Sequence, residues 1–290
     1  MPTVPDAQVL GESDISDLVA LVTACRLHSA PHAFPAAIDV DWLLAEPESR
    51  AAARCWRNER GALVAFAMAQ QAFGNVLFDV HPRARASITE AVVETVLAVL
   101  AESDATSADT PLESDDPWRH DVLLARGFVP TGDDVVHLRN EGLAAYVVDE
   151  PPGDVTVASN ADDLDGYVAA HRAAFSTTYL TRARREAWSL TEGYDPAYDL
   201  AVHVDGELAA FAVTYLRGSE AEVGVVGVVP AYRGRGLARL AIGLVLGRVV
   251  AAGATSAWLS TSSTNVAMLA VAESCGFHEF RRTTWWRRSL

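Results

Sequence analysis

The chain of 290 residues contains no lysine; all 23 of its basic residues are arginine. That excludes a lysine nucleophile, a Schiff base and the phosphate-binding lysine of a Walker loop. Cysteine is scarce too. Cys25, Cys55 and Cys275 are too few and too scattered for a disulfide framework or a zinc site, so no metal is expected. Positive charge is in deficit, with 38 acids giving a net charge of −15. Nucleic acid is therefore a poor partner, because phosphate contacts need a basic surface, and a cationic substrate suits the field better. Long apolar runs are missing: Leu237–Val250 is interrupted by arginine and falls short of the roughly 18 residues of a membrane span. The start, MPTVPDAQVLGESD, has no basic segment leading into an apolar one, so no signal peptide is expected. Together these absences predict a cytoplasmic protein with no membrane partner.

What is present is a pattern that occurs twice. GALVAFA begins at Gly61 and GELAAFA at Gly206; Val80–Pro82 (VHP) parallels Val228–Pro230 (VVP); Arg126–Phe128 (RGF) parallels Cys275–Phe277 (CGF). The early segments Ser13–Val19 and Ala161–Val168 keep nearly the same separation. Four matches in one order at nearly constant offset predict two similar domains, 1–150 and 151–290. The junction falls at Asp149–Asp154, where two prolines and a glycine form a linker. Glu102–Pro117, rich in Ser, Asp, Thr and Pro, reads as a mobile loop, and the ending RRTTWWRRSL as an edge strand with arginine outward.

In the second half, helical patterns cover Ala161–Phe175 and Thr181–Leu190. Strands at Leu200–Val204 and Leu208–Leu216 flank the hairpin signal Asp205-Gly206. A further strand, Glu222–Val229, leads through a glycine-rich turn to a helix from about Gly236 to Ala252, then a strand at Ala257–Thr261 and a helix at Asn265–Ser274. Antiparallel strands followed by a strand–helix–strand crossover predict an α/β fold, a mixed and mostly antiparallel sheet with helices on both faces.

The stretch Val226–Gly243, VGVVPAYRGRGLARLAIG, carries the chemistry. Glycine lets the chain turn tightly, and the amides of Arg235–Ala238 would open a helix whose positive end attracts phosphate oxygens. Arg233 and Arg235 would add charged donors. A dinucleotide fingerprint is excluded for want of three early glycines and a later acid.

This stretch resembles the acetyl-CoA motif of the GNAT (GCN5-related) N-acetyltransferases, Gln/Arg-x-x-Gly-x-Gly/Ala, met by Arg233, Gly236 and Ala238 after the lead Val228, Pro230 and Tyr232. A second family signature, built on asparagine and a closing Gly-Phe, is met by Asn265, Gly276 and Phe277. The resemblance covers Asp154–Leu290, with a weaker one in the first half, and implies two tandem GNAT-like acyl-CoA acyltransferase domains. It implies acetyl-CoA as cosubstrate, with Val226, Gly227, Val228 and Val229 pairing with the pantetheine arm. It also implies that Arg233, Gly234, Arg235, Gly236, Leu237 and Ala238 hold the pyrophosphate, and that Asn265 contacts the arm near the thioester. A plain helix N-cap is an equal reading of Asn265.

Glu222 stands six residues before Val228, where some members keep a general base. Strand parity puts the two on one face unless a bulge intervenes; a solvated loop acid is the other reading. The oxyanion donor would be the amide of Val228 or Val229. The chain departs from the family at Ala272, where a tyrosine usually donates a proton to the leaving thiolate. Water, or a nearby hydroxyl such as Ser274, Ser263 or Tyr215, could replace it, and the small residue could leave room for a longer acyl group. In the first half, VHPRARASITEAVVE lacks glycine and carries Glu90 in the first helical turn, so residues 1–150 are expected to keep the fold without a phosphate loop. Tyr179, Trp188, Tyr194 and Tyr198, with Glu192 and Asp195, could line an acceptor site or could simply pack. The expected acceptor is the amine of a small molecule. A protein N-acetyltransferase and a CoA-binding pseudoenzyme acting as sensor or scaffold stay open as alternatives.

Overall fold

The computed structural model describes residues 6–11, 14–26, 44, 47–143, 148, 150–191 and 193–290. Ser13, Asp149 and Glu192, named above, lie outside them. The chain forms two compact units, and their limits differ from a division at residue 150. One contains Met1–Asp134 and Thr283–Leu290; the other contains Val135–Arg282.

The first unit has strands β1 (Gln8–Val9), β2 (Arg54–Arg57), β3 (Leu63–Gln70), β4 (Asn75–Val80) and β5 (Ser107–Glu113), side by side in that order. Helix α1 (Ile15–Arg26) lies on one face, packing Leu18, Leu21 and Val22 against Phe66, Met68 and Leu77. Helix α3 (Arg85–Ala101) covers the other with Ile88, Val92, Val96 and Leu100 against Phe78 and Val80. Shorter helices α2 (Pro47–Ala52) and α4 (Pro117–Leu124) complete it.

Residues 107–113 are thus a strand where the sequence suggested a loop. Their side chains are polar by composition, yet Asp109, Thr110 and Glu113 are buried. The cause is a partner from the far end of the chain. Strand β12 (His278–Ser289) runs antiparallel to β5 from Thr283↔Glu113 to Ser289↔Ser107. Arg287 clamps Asp109 with two hydrogen bonds of 2.7 and 3.0 Å. Cross-strand pairing outweighs intrinsic propensity here. It also means that RRTTWWRRSL is a paired strand, not an edge.

The second unit receives its own strand from the first half. Strand β6 (Val129–Asn140) pairs antiparallel with β11 (Ser256–Ser262) from Val135 to Asn140. The order continues through β10 (Glu220–Val228), β9 (Glu207–Arg217), β8 (Asp199–Val204) and β7 (Val155–Ser159). The β8–β9 hairpin turns at Asp205 and Gly206, both with positive φ (52° and 84°), as an Asp-Gly type I′ turn requires. Helix α7 (Leu237–Ala251) crosses from β10 to its parallel neighbour β11, burying Leu240, Ala241, Ile242, Val245, Leu246 and Val249 against the sheet. Helices α5 (Leu164–Phe175) and α6 (Arg182–Trp188) lie on the opposite face, and α8 (Val266–Ser274) follows β11.

The internal repeat lies on equivalent elements. Gly127 and Gly276 both adopt left-handed φ (76° and 79°) after α4 and α8, and Phe128 and Phe277 each donate an amide five residues back to the helix they leave, at 3.1 and 3.0 Å. Both phenylalanines are buried. The same capping device ends the same helix twice.

Because β5 depends on β12, truncating the chain after Arg282 should lower the melting temperature and make residues 107–124 susceptible to limited proteolysis. Unchanged protection of that segment against hydrogen exchange would contradict the assignment.

Candidate functional site

Strand β10 is the element on which the site turns. It pairs with β9 along its whole length, but its register shifts between Val223 and Val225, a bulge at Gly224. On its other side it pairs with β11 only from Glu220↔Ser256 to Glu222↔Trp258. Beyond that rung the two strands part. Val229 N–H donates to Ala209 O at 2.9 Å, which makes Val228↔Ala210 a non-hydrogen-bonded pair of the β9–β10 ladder. By alternation Val226 and Val228 turn both amide and carbonyl toward the parted side, while Gly227 spends its own on β9 and Val229 gives its amide to Ala209 O and its carbonyl to Tyr232 N–H at 2.9 Å. Of the two amides expected for an oxyanion, Val228 is therefore the one on the open edge.

The bulge overturns the parity argument for Glu222. Ala221 and Val223 pack with Ile242, Leu246 and Val249 of α7, so Glu222 points to the opposite face. After the extra residue, Val226 and Val228 also pack toward α7. Glu222 and Val228 are thus on opposite faces, and Glu222 shares its side with Gly227. There the Phe211 ring crosses Gly227 so closely that a Cβ would sit 2.2 Å from it, which is why the strand carries glycine.

At the far end of β10 the chain passes through Pro230–Tyr232 into Arg233-Gly234-Arg235-Gly236. Gly234 and Gly236 have φ of 78° and 74°, a region closed to most side chains, and nothing lies within 4 Å of where their Cβ would be. Gly236 is the N-cap of α7 and supplies no side-chain acceptor, so the amides at Leu237 and Ala238 open toward solvent at the positive end of a 15-residue helix. The arginines are turned aside. Arg233 Nη2 donates to Ala174 O at the end of α5 (2.8 Å), and Arg235 Nη2 to Asp154 (3.1 Å). Main-chain groups, not these guanidiniums, front the opening.

Asn265 is the N-cap of α8, its Oδ1 accepting from Met268 N–H at 3.2 Å and its Nδ2 donating to Thr261. The capping reading holds as geometry and leaves the other role open. Ala272 is fully buried among Leu138, Phe277 and α7, so it lines no opening and offers an acyl chain no room. Ser274 donates to Val271 O at the other end of α8.

The face that carries Glu222 is built by α5 and α6. Tyr167 and His171 of α5 surround Phe211, with ring centroids 5.0 and 6.0 Å away. Arg185 of α6 is ion-paired to Asp199 of β8, both buried; Tyr194 Oη and Asn160 Nδ2 also donate to that carboxylate at 2.7 Å. Tyr194 and Trp188 therefore hold the fold together, while Tyr179 lies under Arg184, 4.1 Å away, and Asp195 caps the turn to Tyr198. These residues serve packing and capping. Burial raises the pKa of Tyr215, directly opposite Glu222, and keeps its hydroxyl protonated. Among the described residues no group of three or more His, Cys, Asp or Glu is arranged around a metal, and no helix is long and apolar enough to cross a membrane.

Residues 164–277 match the acetyltransferase (GNAT) family. The segment is a GNAT domain. Over 205 residues the chain is 30% identical to the mycothiol acetyltransferase of Clavibacter michiganensis subsp. michiganensis, covering 66% of this chain and 65% of that protein, just under two thirds of its length. Two solved structures align over 99% of this chain and 97% of theirs: a tandem GNAT protein from the clavulanic acid biosynthesis pathway (TM-score 0.74, 16% identity) and a GCN5-related N-acetyltransferase from Sphaerobacter thermophilus (0.73, 20%). The fold is thus that of two GNAT-like units.

The unit-one counterpart of the GNAT loop differs in kind. His81 caps the turn Pro82–Ala84 by accepting from Arg83 N–H at 3.2 Å, and the Arg85 guanidinium lies 3.8 Å from the Trp118 ring. No glycine turns the main chain outward there. Glu90 falls in the second turn of α3, not the first.

Sequence reading missed the bulge and the ring cluster above Gly227. Two glycines inside a strand, Gly224 and Gly227, were the available signal. Within that cluster burial lowers the His171 pKa to about 4. The unfolded chain then binds the proton first as pH falls from 6.5, so this residue's contribution to stability is complete above 6.5 and lost toward 4. Comparing melting temperatures at pH 7.5 and 5 should give a smaller drop for His171→Phe than for the natural chain.

Proposed function

We propose that the second unit is an acetyl-CoA-dependent N-acetyltransferase that acts on the amine of a small molecule. GNAT enzymes use acyl-CoA donors. The observation that carries the reading is the pairing of a parted β10 edge with an open helix terminus at its end. The cradle fits this cosubstrate: two left-handed glycines with free space beside them, uncapped amides at Leu237 and Ala238, and peptide groups of Val226 and Val228 directed into the gap. Arg233 and Arg235 shape the loop through Ala174 and Asp154. Asn265, at the mouth of α8, is assigned to the arm near the thioester while it caps the helix.

Bound acetyl-CoA supplies an activated acetyl thioester. The work of the chain is to hold it, to accept a proton from the amine and to return one. Glu222, at the last rung before the strands part, is the assigned proton acceptor. Its neighbour Tyr215 stays protonated and is the assigned donor in place of the tyrosine lost at Ala272. The Val228 amide is the assigned donor to the carbonyl oxygen. Residues 1–150 are proposed to bind no acetyl-CoA, since their turn lacks the glycines that expose main-chain amides. The small-molecule acceptor is supported by the 30% likeness to a mycothiol acetyltransferase.

A second reading, a CoA-binding protein without turnover, is favoured by Ala272 alone. Release of free thiol from acetyl-CoA across an amine panel separates the two: thiol release supports the enzyme, and binding with no release supports the sensor. Gly236→Val should weaken CoA binding at least tenfold by calorimetry with the fold intact, because a β-branched residue resists left-handed φ. Glu222→Gln should lower kcat by about 10²–10⁴, the range of a lost general base, with little change in CoA affinity.

A further inference from the structure

The first unit also has a strand that parts from its parallel neighbour, and the internal repeat fixes the equivalent residues. Val80–Pro82 matches Val228–Pro230, so Phe78, Asp79 and Val80 of β4 stand where Val226, Gly227 and Val228 stand in β10. Their partners agree: Phe66 pairs with Asp79 as Phe211 pairs with Gly227. β4 pairs with β5 only at Asn75↔Asp109. His81 N–H donates to Val64 O at 2.8 Å, so Val80↔Ala65 is a non-hydrogen-bonded pair of the β3–β4 ladder, like Val228↔Ala210. Phe78 and Val80 therefore turn their peptide groups to the parted side, as Val226 and Val228 do. Here those groups are spent within the chain. Arg119 Nη1 donates to Phe78 O at 2.7 Å, Arg85 Nε to Val80 O at 3.4 Å, and Val80 N–H to the Asp79 carboxylate at 2.9 Å. Arg119 is also ion-paired with Asp79 (3.6 Å) and Asp116 (3.3 Å), and all three side chains are buried. It comes from α4, whose N-cap Asp116 accepts from Arg119 N–H as Asn265 of α8 accepts from Met268 N–H. The position of Arg119 is thus that of Met268.

The pantetheine arm of an acyl-CoA carries two amides, and an open strand edge binds such a chain by exchanging peptide hydrogen bonds with it. In β4 the acceptor at Phe78 and the donor at Val80 are both taken, by side chains that are themselves buried. With the β10 edge as the arm's place in the acetyltransferase reading, on which this rests, we propose that Arg119 is the internal occupant of the equivalent place in the first unit. Together with Asp79 it closes that edge to acyl-CoA independently of the glycine-poor turn Pro82–Ala84. An arm that displaced Arg119 would strand the Asp79 and Asp116 carboxylates in the interior, and a stranded buried charge is costly. The three positions differ from the second unit as a set. Where that unit has Gly227, Asn265 and Met268, this one has two carboxylates and the guanidinium that pairs with both. Glycines returned to the turn would therefore not by themselves make the first unit bind CoA.

The test compares the two strand edges in one full-length chain. Pantetheine, which has the arm and lacks the diphosphate, is added, and site-resolved amide hydrogen exchange is followed at Phe78 and Val80 and at Val226 and Val228. In the natural chain exchange should slow at Val226 and Val228 and stay unchanged at Phe78 and Val80. Asp79→Gly, Asp116→Asn and Arg119→Met together place the second unit's residues in the first and strand no charge. In that variant pantetheine should slow exchange at Phe78 and Val80 about tenfold, the effect of a regained amide hydrogen bond. Slowing at Phe78 and Val80 in the natural chain would overturn the proposal. So would no slowing there in a folded triple variant whose Val226 and Val228 respond. Asp79→Asn with Arg119→Gln, which keeps polar groups at both positions, replaces the triple variant if that does not fold, and is read at Phe78 with the same two outcomes. No response at Val226 and Val228 of the natural chain would sink the assignment of β10 to the arm, and this proposal with it.

Discussion

Pairing between β10 and β11 ends after three rungs, and the candidate site follows from that ending. A sheet strand with one satisfied edge and one open edge offers peptide groups to whatever lies alongside it, as an exposed edge does to a peptide. Here the opening is internal to the sheet and closed at one end by the Glu222–Trp258 rung. The bulge at Gly224 gives the strand its local bend and exchanges the faces presented on either side of it. The carboxylate consequently faces α5 and α6, while the valines beyond it rest on α7.

Rigidity around this opening comes from two different sources. On the α7 side it is apolar packing, a nearly continuous hydrophobic surface from Leu237 to Val249. On the other side it is a buried charged network, in which Asp199 takes hydrogen bonds from Arg185, Tyr194 and Asn160. Removing one member of such a pair typically costs about 3–5 kcal/mol, because the remaining charge is stranded. The network ties β8 to α6 and holds the rings that rest on Phe211, and through Phe211 on Gly227.

The exchanged strands distinguish the chain from two repeats laid end to end. β12 supplies the ladder partner of β5, and β6 that of β11. Each unit therefore needs residues from the opposite half of the sequence to satisfy its backbone. The polar strand Ser107–Glu113 could persist only with such a partner, and its Asp109–Arg287 clamp joins residues 178 positions apart. Local composition carries no trace of a partner so distant, which is why that stretch reads as a loop.

What the sequence determined alone was everything governed by local rules. Periodicity marked the strands and helices of the second half, Asp205-Gly206 marked its hairpin, and Arg233–Ala238 marked a helix opening without a cap. The repeat marked two similar units. What only the tertiary structure decided was everything set by pairing and by a single inserted residue. The limits of the units, the face of Glu222, the engagement of Arg233 and Arg235 with Ala174 and Asp154, and the burial of Ala272 all belong here. The physical reason is the two-residue period of a strand: one extra residue at Gly224 moves every later side chain to the other face, and nothing in the order of amino acids compels the chain to take it.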